Sequence, residues 1–334
     1  MELGVGFSSE ELGPNEIVRC AALAEEVGFT TAWVSDHFHP WIDAQGESPF
    51  VWSVLGGVAT ATERIRVGTG VTCPTIRMHP AIIAQATATT QRMFDGRFWF
   101  GVGSGEALNE HILGDKWPEA DVRLEMLEEA IEVIRALWRG EQHSHRGTHY
   151  TVENARIYTL PEHAPPIMVS AFGAKSRDLA ARVGDGLVST KPDRELTAAF
   201  AKAAGADKPK LAQVKVAWAP TEAEAADLVF ERWPTSGLAG ELSQELATPA
   251  HFEQAVSVLH KEDVVENFAL GPDAAPHVDA IRTYVDAGYN EIYVTQVGPR
   301  QEEFLRFYER DVLPEFAGNG ASSLIARVGA SPSV

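Results

Sequence analysis

Short apolar runs of strand length alternate with amphipathic helical stretches along most of this chain. That alternation is its strongest constraint, because parallel strands can be joined only by a crossover of helix length. The runs are Leu3 to Phe7, Thr31 to Ser35, Ile65 to Gly70, Phe98 to Val102, Pro166 to Ala171, Gly186 to Ser189, one within Pro209 to Trp218, and Glu291 to Thr295. Helical periodicity falls between them, at Asn15 to Val27 closed by Gly28, Phe50 to Thr60, Pro80 to Met93, Lys175 to Val183, Ala275 to Ala287 and Gln301 to Val312. A further helix is read from Leu124, Leu127, Ile131, Ile134, Leu137 and Trp138, which recur at steps of three and four up to Gly140. About eight strands, most followed by a helix, predict an α/β fold of the closed (β/α)8 TIM-barrel type rather than an open doubly wound sheet.

Two stretches depart from the alternation. GTHYTVENA, from Gly147 to Ala155, has β character outside the main series. Thr221 to Leu270 is long, charged, mainly helical and without strand signals, and is expected to be an insertion near the last strand pair that covers the mouth of the barrel. The chain therefore reads as one barrel domain over residues 1 to 318, with the insertion at about 221 to 270. Residues 319 to 334, rich in Gly, Ala, Ser and Pro, read as a flexible tail.

Composition narrows the function classes. Forty-seven acidic against twenty-eight basic residues give a net charge of -19, which opposes nucleic acid and anionic lipid as partners. No stretch approaches the roughly 18 apolar residues of a spanning helix, and the start lacks a signal-peptide pattern, so a cytoplasmic protein is expected. Cys20 and Cys73 have neither ligand spacing nor a pairing framework. Histidines at 37, 39, 79, 111, 143, 145 and 149 come without a matching carboxylate set, and no metal is expected.

In such a barrel, chemistry sits at the C-terminal ends of the strands. There SDHFHPW (35 to 41) supplies an imidazole, a carboxylate able to fix its tautomer and an aromatic wall, a set suited to acid/base work. The plainer alternative for His37 is a loop cap. GTGVTCPT (68 to 75) carries glycines that allow close approach of a planar ligand or unusual dihedral angles. GVGSGEALNE (101 to 110) has the spacing G-x-G-x-G and lacks the acidic residue of a dinucleotide fingerprint, which excludes a Rossmann reading. Its Glu106 is a catalytic acid, a helix N-terminal carboxylate or a solvated side chain on spacing alone.

Those three segments, together with VSAFGAKS at 169 to 176, closely resemble the F420-dependent glucose-6-phosphate dehydrogenase family of the luciferase-like superfamily, from the N-terminus to about Pro314. The resemblance implies coenzyme F420 and hydride transfer between an alcohol carbon and the deazaflavin. It implies His37 as the base that removes the hydroxyl proton, Trp41 as its transition-state neighbour and Glu106 as the acid toward the coenzyme. Asp36, the Gly70-Val71 peptide (a non-proline cis bond in relatives), Ser104, Gly105, Asn109, Ala171, Phe172 and Gly173 match cofactor-contacting segments. Glu10, Thr190, Lys191 and Arg194 are the expected substrate residues.

The family holds a sugar phosphate with two lysines and an arginine. The matching places here fall near Lys191 to Arg194, at Gln254, and near Glu266 to Asn267, so two of the three cations are missing. A charge-assisted hydrogen bond to a phosphate is worth roughly 1.5 to 3 kcal/mol, so their absence weakens phosphate binding, and a sister subfamily acting on another alcohol is implied. An FMN-dependent monooxygenase of the same superfamily and a non-catalytic cofactor-binding relative are the competing readings. The expected partners are a small-molecule alcohol or sugar phosphate and a second copy in a homodimer.

Overall fold

The computed structural model describes residues 1–317, so the stretch read as a tail lies outside the described residues. Eleven strands occur within them: β1 (Glu2–Phe7), β2 (Thr31–Val34), β3 (Arg66–Thr69), β4 (Phe98–Val102), β5 (His143–Arg146), β6 (Thr151–Ala155), β7 (Ile167–Ser170), β8 (Gly186–Ser189), β9 (Lys210–Ala217), β10 (Ala269–Leu270) and β11 (Glu291–Gln296). Eight of them close a parallel barrel in the order β1, β2, β3, β4, β7, β8, β9, β11, with β11 returning to β1. Helices at Pro14–Val27, Val51–Ala61, Pro80–Met93, Ala120–Trp138, Ala174–Val183, Arg194–Ala204, Ala274–Asp286 and Gln301–Phe307 follow the barrel strands in turn.

Local signals explain the first unit. Pro14 stands in the first helical turn, where its missing N–H is unneeded, and Ile17, Cys20, Ala21, Ala24 and Val27 form the buried face. Gly28, at φ 108°, ends the helix with its N–H on the Ala24 carbonyl. Burying each large apolar side chain of such a face contributes about 1.5 to 3 kcal/mol.

The barrel interior is layered. Arg66 lies between the Glu2 and Glu291 carboxylates at the N-terminal end. Above it Trp33, Trp99, Met168, Val188, Leu211 and Tyr293 fill the lumen, with Trp33 stacked on Tyr293 at 4.4 Å. A methyl on Gly68 would enter the Trp99 ring, so this glycine answers to core packing and not to the ligand approach read from the sequence. Next comes the Gln213 to Thr295 hydrogen bond of 3.1 Å, and the polar mouth opens above it.

Two boundaries differ from the sequence reading. The β excursion is an antiparallel hairpin of β5 and β6 in which Gly147 belongs to the turn, and its first strand, HSHR, offers no apolar signal. The 221 to 270 stretch contains helices at Glu222–Arg232, Pro249–Val256 and Lys261–Val265, yet ends in β10, which pairs with Val216 and Ala217. That two-residue strand extends the edge of β9 outside the barrel and is too short to leave a period.

Candidate active site

The mouth is built from loops that leave the strand ends. β1 runs into Ser8, Ser9, Glu10 and Glu11, and β2 runs into Ser35, Asp36 and His37. His37 Nε2 lies 3.3 Å from Glu10 Oε1, and Nδ1 lies 3.2 Å from the His39 carbonyl. Since a carbonyl only accepts, Nδ1 is assigned the hydrogen and Nε2 is the nitrogen that can take a proton. Trp41 walls the ring at 5.1 Å.

Glu10 is 3 % exposed, and its Oε2 accepts from Ser8 Oγ at 2.8 Å and Ser35 Oγ at 2.6 Å. Burial alone pushes its pKa up. The facing His37 charge and the Ser35 and Ser8 donors outweigh burial and hold it below the ordinary carboxylate value. Glu10 is therefore a fixed anion aimed at the His37 nitrogen that can take a proton.

Here the sequence reading needs correction. Asp36 does not orient His37: its carboxylate accepts from Thr72 Oγ1 at 2.8 Å and pairs with Arg77 at 2.8 Å. In the loop after β2 Asp36 turns toward Thr72 and Arg77 and away from its neighbour, and the carboxylate that faces His37 comes from the end of β1. Arg77 also faces Glu110, whose Oε2 accepts the Arg77 N–H at 2.7 Å. Burial pushes the Glu110 pKa up to about 7 despite Arg77.

Glu106 opens the short helix Ala107–Glu110, and Asn109 Nδ2 reaches its Oε2 at 3.4 Å. Asn109 Oδ1 accepts from the Phe38 and His39 backbone N–H groups at 2.8 and 3.2 Å, so this side chain locks the His37 loop onto the β4 loop. His39 Nδ1 donates to the Leu108 carbonyl at 2.9 Å, which directs it away from His37. His79 caps the Pro80 helix instead of facing the mouth. Among the described residues no group of three His, Cys, Asp or Glu side chains gathers as metal ligands would.

The segments expected to hold the cofactor sit at the ends of β3, β4 and β7. The Gly70-Val71 peptide is cis. Gly105 has φ 81°, and a side chain there would strike Cys73 Sγ at 2.6 Å, so only glycine fits. Ser104 is half-buried, Ala171 is buried, and Phe172 is 52 % exposed beside Gly173, above which nothing lies within 4 Å. Phe38 is 50 % exposed. Two half-bare rings at the mouth, with open space over a glycine, fit a large planar ligand.

Thr190, Lys191 and Arg194 follow β8 and are exposed; no hydrogen bond or ion pair among the described residues ties the Lys191 or Arg194 side chain to the His37 cluster. The structure instead brings in Lys215, which the sequence reading missed. It lies on β9 in register with Thr295, and its Nζ stands 3.5 Å from the Trp233 ring centroid. Burial pulls its pKa down to about 8 against the upward pull of Glu10 and Glu11. A lysine inside a strand in alternation with Leu211 and Gln213 was the available signal. The 221 to 270 stretch reaches the same mouth through Trp233 and through Phe252, which meets Trp41 edge-on at 5.1 Å.

A barrel with this site at its strand ends defines a class. Residues 1–291 match the model of the luciferase-like monooxygenase family, and the chain belongs to that family. Within it, the chain is 37% identical over 329 residues to the F420-dependent glucose-6-phosphate dehydrogenase of Microbacterium testaceum (strain StLB037), covering 94% of this chain and 97% of that one. It is 36% identical over 328 residues to the enzyme of the same name from Nocardia farcinica (strain IFM 10152), again covering 94% and 97%. Among solved structures, an F420-dependent secondary alcohol dehydrogenase in complex with an F420-acetone adduct superposes with a TM-score of 0.86 at 28% identity, covering 93% of this chain and 98% of that one.

Proposed function

We propose that this protein is an F420-dependent oxidoreductase acting on the CH-OH group of a small-molecule alcohol, a sugar phosphate or another secondary alcohol. The carrying observation is the Glu10, His37 and Trp41 set at the ends of β1 and β2, in a chain whose relatives at 36 and 37% identity are named for that coenzyme and reaction type. When bound, the deazaflavin accepts or returns a hydride.

The protein's own residues do the rest. His37 takes the hydroxyl proton at Nε2 as the carbinol hydrogen leaves as hydride, and Glu10 stabilises the imidazolium that forms. Trp41 holds the imidazole in place and keeps bulk water from that side. Glu106 serves as the acid on the coenzyme side. Asp36, Gly70, Val71, Ser104, Gly105, Asn109, Ala171, Phe172 and Gly173 would hold the coenzyme, while Glu10, Thr190, Lys191 and Arg194 border the substrate. A single barrel over the described residues, with the 221 to 270 stretch as its cover, belongs to the same reading.

Titration with oxidised F420 and with FMN, followed by bleaching of the deazaflavin band with alcohols, tests this. Tight F420 binding with bleaching supports it, and FMN binding without F420 binding transfers the chain to the monooxygenases. A homodimer is part of the proposal: Ile82 (58 % exposed) and Met93 (45 %) lie three turns apart on one face of Pro80–Met93. Sedimentation at micromolar concentration tests it. The two free, buried cysteines accord with a reducing cytoplasm.

A further inference from the structure

We infer that Lys215 is the substrate-orienting residue of this site, holding a second, uncharged oxygen of an alcohol whose carbinol lies at His37, so that the substrate is polyoxygenated and not a monofunctional alcohol. The inference rests on the proposed alcohol chemistry at His37.

Its first support is the position of the side chain. Leu211, Gln213 and Lys215 alternate along β9; Leu211 packs into the lumen with Trp33 and Tyr293, and Gln213 bonds Thr295 across it. Lys215 is the next inward residue and so rises into the mouth.

The second support is that its donors have no acceptor. Among the described residues Lys215 Nζ makes no hydrogen bond and has no carboxylate oxygen within 4.0 Å, although Glu10 and Glu11 are the charges that act on it. Those carboxylates are already engaged. Glu10 serves Ser8, Ser35 and His37, while Glu11 accepts from Trp233 Nε1 at 2.6 Å and from the Gly298 N–H at 3.1 Å. One side of the ammonium is covered by Trp233, and the side chain remains partly open to solvent. Water can take its donors from the open side, and an oxygen of a bound ligand can take them in water's place.

Charge selects the kind of oxygen. Beside Lys215 the nearest charged groups acting on it are the Glu10 and Glu11 carboxylates, so an anionic group beside His37 meets repulsion from them. A hydroxyl or carbonyl oxygen takes the lysine's donors without that cost.

The test uses the full chain loaded with F420. Rates are followed with propan-2-ol, propane-1,2-diol, glycerol, glucose and glucose 6-phosphate for the parent, Lys215→Met and Lys215→Arg. Lys215→Met is expected to lower kcat/KM for the polyoxygenated compounds by about tenfold or more beyond whatever loss it causes with propan-2-ol, the extra loss appearing mainly in KM. Lys215→Arg is expected to recover part of the loss. An equal loss on every alcohol, or none on any, overturns the inference.

Reductive methylation read by mass spectrometry gives an answer independent of turnover. Glucose or glycerol should shield Lys215 and propan-2-ol should not; equal labelling with and without the polyols also overturns it. If no alcohol is oxidised yet glucose shields Lys215, the oxidoreductase reading falls and the lysine site stands. If alcohols are oxidised and Lys215 is never shielded, only the lysine site falls.

Discussion

Glu10→Gln isolates the electrostatic step on which the proposed chemistry depends. The amide keeps nearly the same shape, and its carbonyl oxygen can still accept from Ser8 and Ser35, so the change removes a charge and little else. At 3.3 Å from His37 Nε2, two full charges at an effective dielectric of about 20 interact by roughly 5 kcal/mol. Partial compensation by water and by the amide dipole brings the expected loss to about 2 to 5 kcal/mol in the proton-transfer step, which is roughly 30-fold to several-thousand-fold in kcat. The assay is steady-state deazaflavin reduction, with F420 affinity measured in parallel to show that the coenzyme site is intact. A variant that keeps kcat within about threefold of the parent, with coenzyme bound, would refute the assignment of Glu10 as the stabiliser of protonated His37.

Other outcomes follow from the same geometry. Arg77→Met leaves the buried Asp36 and Glu110 carboxylates without their shared cation and is expected to cost about 3 kcal/mol of stability, read by urea unfolding, together with weaker F420 binding. Glu11 is raised by burial from 4.5 to about 7, so the folded state binds its proton more tightly and its contribution to stability is lost as pH rises through that window. Glu11→Gln keeps an oxygen for Trp233 but sets its amide nitrogen against the Gly298 N–H, so its absolute stability is expected to fall while the parent's loss of stability between about pH 5 and pH 7 disappears from its denaturation curves. Gly68→Ala drives a methyl into Trp99 and should lower stability by about 1 to 3 kcal/mol or abolish soluble expression; a thermal midpoint equal to the parent's would contradict the packing account.

The alternation of apolar runs with helical periods was enough to read the closed eight-stranded barrel, since strand order in a right-handed parallel barrel follows chain order. Gly28 likewise marked the end of the first helix where it occurs, whereas its start lies at Pro14, one residue before the reading. Strand-end motifs put His37, Trp41, Asp36 and Glu106 on one rim, because position along a strand is a one-dimensional property. What each side chain faces is three-dimensional. The partner of His37 proved to be Glu10 and not the adjacent Asp36, and Arg77, Glu11, Trp233 and Lys215 joined the site from segments with no motif of their own. Closure of the barrel brings β9 and β1 to either side of β11, placing residues some 200 positions apart at one mouth, and neither spacing nor periodicity along the chain records that meeting.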